Sequence, residues 1–201
     1  MTTVFLPEHY RRLKRGPQVM LPKDIGMVIA YAGVNKESVC VDAGTGSGWL
    51  AVSLAKICKK VISYEVREEF IKIAETNAKR EGVENLEIVN RDIKKGIKEK
   101  DIDLVSLDMP ESDKVVGKAY KALKAGGFIF GYLPHMEQVK AFVKELNRYK
   151  FSDIMVLESI VRDMLVREEG MRPSTKEYGT RDTSFSHRRK RLKAQAKGLK
   201  I

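Results

Sequence analysis

This chain of 201 residues predicts an α/β fold, a mostly parallel seven-stranded sheet with helices on both faces. Three observations lead there. Short β-rich runs alternate with stretches of helical periodicity, and strands separated by helices make a doubly wound sheet. The first run, Val39-Cys40-Val41-Asp42-Ala43, passes straight into Gly44-Thr45-Gly46-Ser47-Gly48 and then a helical pattern from Trp49 to Ala55. Later runs close on carboxylates, Glu65, Asp92 and Asp108, at the edge where open α/β sheets bind ligands.

In chain order, Pro22 to Ala32 reads as a helix with Ile25, Val28, Ile29 and Tyr31 available for burial. The strand ending at the glycine turn follows, then Val61-Ile62-Ser63-Tyr64-Glu65. Arg67 to Arg80 is amphipathic, with Phe70, Ile71, Ile73, Ala74 and Ala78 as its expected buried positions. Leu86-Glu87-Ile88-Val89 is the third strand, closed by Asn90-Arg91-Asp92. Ile102 to Asp108 is the fourth, broken by Met109-Pro110. Lys114 to Leu123 suits a helix, and Lys124-Ala125-Gly126-Gly127 a turn into a fifth strand, Phe128 to Tyr132. Met136 to Asn147 carries Val139, Phe142, Val143 and Leu146 along one face. Phe151 to Ile160 and a stretch near Thr183-Ser184-Phe185 supply the last two strands. There is no internal repeat and no long linker. One domain over residues 21–187 is expected, with a basic arm at 1–20 and a basic tail at 188–201.

A chain of this length with 43% hydrophobic residues can bury one substantial core. It has no run of 18 apolar residues, and its first residues, Met1 to Pro7, are too soon broken for a signal peptide. A soluble, cytoplasmic protein is expected. Two cysteines without CxxC spacing and three histidines predict neither a metal site nor a disulfide framework. The net charge of +11 is concentrated at the ends. Residues 21–170 hold 24 basic and 24 acidic residues, whereas residues 171–201 hold ten basic and two acidic. Arg188, Arg189, Lys190, Arg191 and Lys193 are the candidate RNA-binding residues, since such a patch attracts a polyphosphate backbone. A merely solvated tail is the alternative.

The glycine turn delivers a ligand to a helix N-terminus with close backbone approach. Its spacing, Gly44-x-Gly46-x-Gly48 with Trp49 next, departs from the dinucleotide pattern G-x-G-x-x-G, and it lacks the P-loop Lys-Ser/Thr. Asp42 would sit badly beside a pyrophosphate. The turn resembles the first motif of class I S-adenosylmethionine-dependent methyltransferases, whose cofactor has no phosphate and carries an ammonium that an acidic turn suits. Glu65 lies about 20 residues past the turn, the separation expected of a carboxylate that binds ribose hydroxyls.

Further segments resemble one family, the tRNA N1-adenine methyltransferases acting on the T-loop adenine. They are Arg15-Gly16-Pro17-Gln18, Pro22-Lys23-Asp24, Ser63-Tyr64-Glu65-x-Arg67, Leu107-Asp108-x-Pro110, Tyr132-x-Pro134 with Gln138, and Arg172-Pro173. The resemblance implies a Rossmann-like class I methyltransferase fold, S-adenosylmethionine as donor, a tRNA substrate and a homotetramer. It implies Asp108 as catalytic carboxylate, Asp92 on the adenine amino group and Gln18 over the cofactor. The cofactor set is then Gln18, Asp42, Gly44, Thr45, Gly46, Ser47, Gly48, Trp49, Glu65, Asp92 and Asp108. Some positions depart from the family pattern. Only 14 residues precede Arg15, where family members carry a small β-rich domain that this sequence is expected to lack. Leu21 stands where an aromatic or His is usual, Ser112-Asp113 replaces Pro-Trp, and Gly179-Thr180 replaces His-Thr. Three other readings stay open: another RNA position, a small acceptor such as a tetrapyrrole, or an RNA-binding subunit without chemistry.

Overall fold

The computed structural model describes residues 6–16, 18–178 and 183–188, with backbone alone for residue 163, residues 174–178 and residues 183–188. Five strands, β1 (Val39–Ala43), β2 (Lys60–Glu65), β3 (Leu86–Asn90), β4 (Ile102–Leu107) and β5 (Leu123–Leu133), lie parallel in the order β3-β2-β1-β4-β5. Chain order reverses at β1, so β2 and β3 extend to one side and β4 and β5 to the other. This reversal opens a crevice over the strand ends. The mostly parallel character anticipated for the sheet holds from β3 to β5 and is interrupted at the strand beyond β5. β6 (Ser152–Glu158) and β9 (Thr183–Arg188) complete the seven strands, with β9 inserted antiparallel between β5 and β6. A separate antiparallel pair, β7 (Val161–Arg167) and β8 (Gly170–Tyr178), joins them. Without a crossover helix between β6 and β9, the chain returns by reversal, and antiparallel pairing follows.

Among the described residues, six helices flank the sheet: α1 (Glu8–Arg12), α2 (Pro22–Ala32), α3 (Trp49–Ala55), α4 (Glu68–Glu81), α5 (Val116–Ala122) and α6 (Met136–Arg148). Alternation along the strands divides the core in two. Cys40, Val61, Leu104 and Phe130 face Tyr10, Ile25, Val28, Leu50 and Leu54. Val41, Ile62, Val105 and Ile129 face Val116, Ala119, Val139, Phe142 and Leu146 on the opposite side. The expected α6 stripe is thereby buried, except that Val143 is only partly so. Cys40 and Cys58 are buried free thiols with their sulfurs 3.5 Å apart.

Several sequence expectations are corrected. Tyr31 is 47% exposed because α2 turns only Ile25 and Val28, with Asp24, fully inward. In α4, Ala74 and Asn77 alone are fully buried, and Phe70, Ile71, Ile73 and Ala78 are half-covered. β3 is the edge strand, and among the described residues no further strand extends the sheet beneath that side of α4. The turn expected at Lys124–Gly127 is an irregularity inside β5, where pairing jumps from Ile102↔Leu123 to Leu104↔Phe128. A Cβ on Gly127 would lie 2.8 Å from the Ile102 carbonyl oxygen. The helix expected from Lys114 begins as a 3-10 turn, Ser112–Val115.

Candidate active site

The site is built where β1, β2 and β4 end together. The Gly44 amide donates to the Tyr64 carbonyl (3.0 Å), and the Asp108 amide donates to the Ala43 carbonyl (2.8 Å). Gly44 has φ +85°, and a Cβ there would stand 1.9 Å from the Asp108 carbonyl oxygen. Only glycine permits this crossing. Gly46, at φ +52°, has its Cβ direction open apart from the Gly44 carbonyl oxygen 3.8 Å away. That face of the turn can take a ligand.

A polar chain supports the turn from below. Register places Asp42 beside Ser63 on β2 and Ser106 on β4. Ser63 Oγ donates to Asp42 Oδ2 (2.6 Å), and Thr45 Oγ1 is 2.6 Å from Ser63 Oγ. Burial pushes Asp42 up to about 6, with the Ser63 hydroxyl opposing the shift. Glu65, also buried, uses its two oxygens unequally. Oε1 accepts from the amides of Val66 (2.9 Å) and Arg67 (3.1 Å) and from Arg67 Nε (3.3 Å). Oε2 accepts from the Gly46 amide at 3.0 Å. Asp92 caps the 3-10 turn Ile93–Lys95, its Oδ1 accepting from the Lys94 amide at 2.8 Å.

Asp108 and Gly44 line three adjoining spaces. The first, about 310 Å³, is bounded by Glu65, Arg67, Asp92, Ile93 and Met109. The second, about 390 Å³, is bounded by Arg15, Gln18, Leu21, Phe70, Tyr132 and Pro134. The third, a recess of about 30 Å³, is bordered by Gln18, Asp42, Thr45, Gly46, Ser47 and Trp49. Lys94, on the lining of the first cavity, pairs with Glu111, whose carboxyl Lys114 and Lys94 together hold down to about 2. The second cavity is backed by Asp24, fully buried, which accepts from the Tyr132 hydroxyl (3.1 Å) and Lys23 Nζ (2.8 Å). Lys23 also donates to the Ser159 carbonyl at 2.9 Å, tying α2 to the end of β6.

Sequence reasoning missed how the N-terminal arm reaches this place. Asn77 on α4, fully buried, accepts from the Lys14 amide (2.7 Å) and donates to the carbonyls of Lys14 (2.9 Å) and Ser47 (2.8 Å). Ser47 Oγ accepts from the Gly16 amide at 3.0 Å. The Trp49 indole donates to the Lys14 carbonyl at 3.2 Å and packs on Tyr10. Ser47 and Trp49 therefore anchor the arm as well as border the recess, and the anchored arm carries Arg15 and Gln18 to the cavities. The lone buried Asn on an amphipathic face was the signal available. Gly48, at φ +79°, brings α3 against Ala74 of α4. Of the candidate RNA residues, Arg188 has its backbone in β9, paired with Phe128 and Ser152. Arg189, Lys190, Arg191 and Lys193 lie outside the described residues, as do Pro17, Gly179 and Thr180. Among the described residues, no helix is long and apolar enough to cross a membrane.

A glycine turn at the switch point, with Asp42, Glu65, Asp92 and Asp108 at four successive strand ends, defines a Rossmann-like methyltransferase fold of class I. Solved structures with this architecture include one from Thermotoga maritima described as an S-adenosylmethionine-dependent O-methyltransferase, with TM-score 0.86 and 32% identity over 92% of this chain and 71% of that one. Another is the tRNA (m1A58) methyltransferase TrmI of Aquifex aeolicus, with TM-score 0.83 and 26% identity over 90% and 73%. Residues 6–199 match the family described as the tRNA methyltransferase complex GCD14 subunit, and the chain belongs to that family. It is 38% identical to the tRNA (adenine(57)-N(1)/adenine(58)-N(1))-methyltransferase TrmI of Methanocaldococcus jannaschii, over 84% of this chain and 71% of that protein. It is 31% identical to the tRNA (adenine(58)-N(1))-methyltransferase TrmI of Thermus thermophilus, over 94% and 75%.

Proposed function

We propose that this chain is a tRNA methyltransferase that transfers the methyl group of S-adenosylmethionine to N1 of an adenine, as the relatives named for adenine 57 or 58 do. One observation carries the reading: Asp108 borders at once the cavity between Glu65 and Asp92 and the cavity under Arg15 and Tyr132. A group there can meet both a donor and an acceptor.

The residues fit the cofactor. Glu65 Oε2, which among the described residues has one protein donor, can accept a ribose hydroxyl. Asp92 stands at the adenine end and Asp42, below the Gly46 turn, at the ammonium end. Gln18, Thr45, Ser47, Gly48 and Trp49 complete the cradle. Bound there, the cofactor supplies a methyl group already activated by positive sulfur. Adenine N1 has an in-plane lone pair, so no base need remove a proton before attack. The chain's work is to hold nucleophile, methyl carbon and sulfur in line, chiefly a proximity effect. Asp108 accepts a hydrogen bond from the adenine amino group and faces the positive charge that grows on the ring. A base paired in RNA is first extruded, at roughly a few kcal/mol.

Incubation of the chain with methyl-labelled S-adenosylmethionine and bulk tRNA, followed by nucleoside analysis, tests this. Label in 1-methyladenosine is expected. Label in another nucleoside overturns the acceptor atom, and label in none overturns the activity.

Self-association belongs to the same reading. Val166 and Met171, register partners in the β7–β8 pair, are 73% and 72% exposed, beside Met164 at 53%. Exposed apolar groups of this kind mark contact surfaces. A second copy of the chain covers them in this proposal. Val166→Asp with Met171→Asp is expected to lower the molar mass measured by light scattering, and an unchanged mass counts against this surface.

A further inference from the structure

The two larger cavities meet at a guanidinium that the cofactor gives no reason for. Arg67, directly after β2, lines both of them. Its Nε faces Glu65 Oε1 at 3.3 Å, and its Cζ lies 3.9 Å from the centroid of the Phe70 ring. The group is thus braced on two sides while its side chain stays 54% exposed. Among the described residues its terminal amino groups have no hydrogen-bond partner. Arg15 lines the second cavity as well, and Asp108 is the sole carboxylate among that cavity's lining residues. Two cations therefore border the acceptor side.

The donor does not account for them. Its sulfonium and ammonium are positive, its adenosine is neutral, and its one anion shares a carbon with the ammonium, which Asp42 would hold. A target adenine is neutral too. The anion that comes with such a base is its backbone phosphate, and a planar guanidinium already stacked and oriented suits phosphate oxygens. Resting on the tRNA methyltransferase reading above, we propose that Arg67, braced between Glu65 and Phe70, binds a backbone phosphate of the acceptor RNA beside the target base, with Arg15 as the second cation on the same cavity. Arg67 then joins the two substrates physically, since the carboxylate that holds it is the one placed on the ribose.

The test compares the full chain with its Arg67→Ala, Arg67→Lys and Arg15→Ala variants. Affinity for tRNA is measured across salt concentration, and affinity for S-adenosylmethionine by calorimetry. Arg67→Ala should lower tRNA affinity roughly tenfold at low salt and reduce the salt slope by about one, the change expected for one phosphate contact. Arg67→Lys should recover most of the slope but not all of the affinity, because an ammonium keeps the charge without the stack. Arg15→Ala should reduce the slope as Arg67→Ala does. Cofactor affinity should fall less than tRNA affinity in Arg67→Ala, which removes one donor from Glu65, and should not move in Arg15→Ala. An unchanged salt slope in Arg67→Ala overturns the inference, and so does a loss of cofactor affinity in step with tRNA affinity. A wild-type chain that methylates no tRNA overturns the functional reading itself, and is distinguished because no variant is needed to see it.

Discussion

At the scale of single residues, the site rests on carboxylates with unlike surroundings. Asp42 is raised to about 6 by burial. The native chain therefore holds this proton more tightly than the unfolded chain, and stability falls as pH rises from about 4 to about 6, then levels. Asp42→Asn removes that dependence. Relative to wild type, the variant should gain up to roughly 3 kcal/mol between pH 4 and pH 7, whatever constant cost the amide adds. Denaturant melts at several pH values measure this, and a parallel pair of curves would show that Asp42 does not titrate in that window. The same variant should bind S-adenosylmethionine more weakly at pH 7. Asp108 is placed differently, half-exposed at the meeting of the cavities. Asp108→Asn keeps a hydrogen-bond acceptor but loses the negative charge, so methyl transfer should fall by roughly 10²–10³ while cofactor affinity is retained. Wild-type turnover in that variant would mean that Asp108 positions the base and nothing more. Both residues were legible in the sequence because each ends a strand that its pattern already marked. The closeness of Gly44 to the Asp108 carbonyl was not, since it depends on how two strands are set side by side.

At the scale of elements, Asn77 joins three pieces of chain: α4, the arm at Lys14 and the turn at Ser47. Asn77→Ala would leave the Lys14 amide and two carbonyls without this partner in a buried place, a cost of about 1–3 kcal/mol. It should also weaken cofactor affinity, because the arm that carries Gln18 loses its anchor. A lower melting temperature with unchanged affinity would separate the arm from the site. The contact spans a sequence separation of 63 residues, so the pattern of α4 can mark the Asn but not its partner. The β7–β8 pair escaped notice for a related reason. A strand wears an alternating pattern when one face is buried, and Val161, Met164, Val166 and Met171 are all exposed. By contrast, α2 and α3 begin and end where their sequence patterns put them.

At the scale of the whole molecule, charge and topology meet at the C-terminus. The body between residues 21 and 170 is electrically balanced, and most of the excess positive charge follows it. β9 is not a peripheral addition to that body, because it pairs with both β5 and β6. Arg188, assigned to the tail on composition, is the last residue of this strand, so a truncation that leaves every described strand whole starts at residue 189. If residues 189–201 follow an RNA backbone, their deletion should weaken tRNA affinity and flatten its dependence on salt by several units, since they carry six of the chain's Lys and Arg residues. Cofactor affinity should be unaffected. The distinction from the Arg67 contact lies in what else changes: a tail that only raises encounter with polyanions alters tRNA and unrelated RNA alike, whereas a phosphate contact beside the target base also alters the rate of methylation on bound tRNA. Single-turnover rates at saturating tRNA separate the two, and the truncated chain should then match wild type. A truncated chain with the full salt slope would mean that these cations are simply solvated.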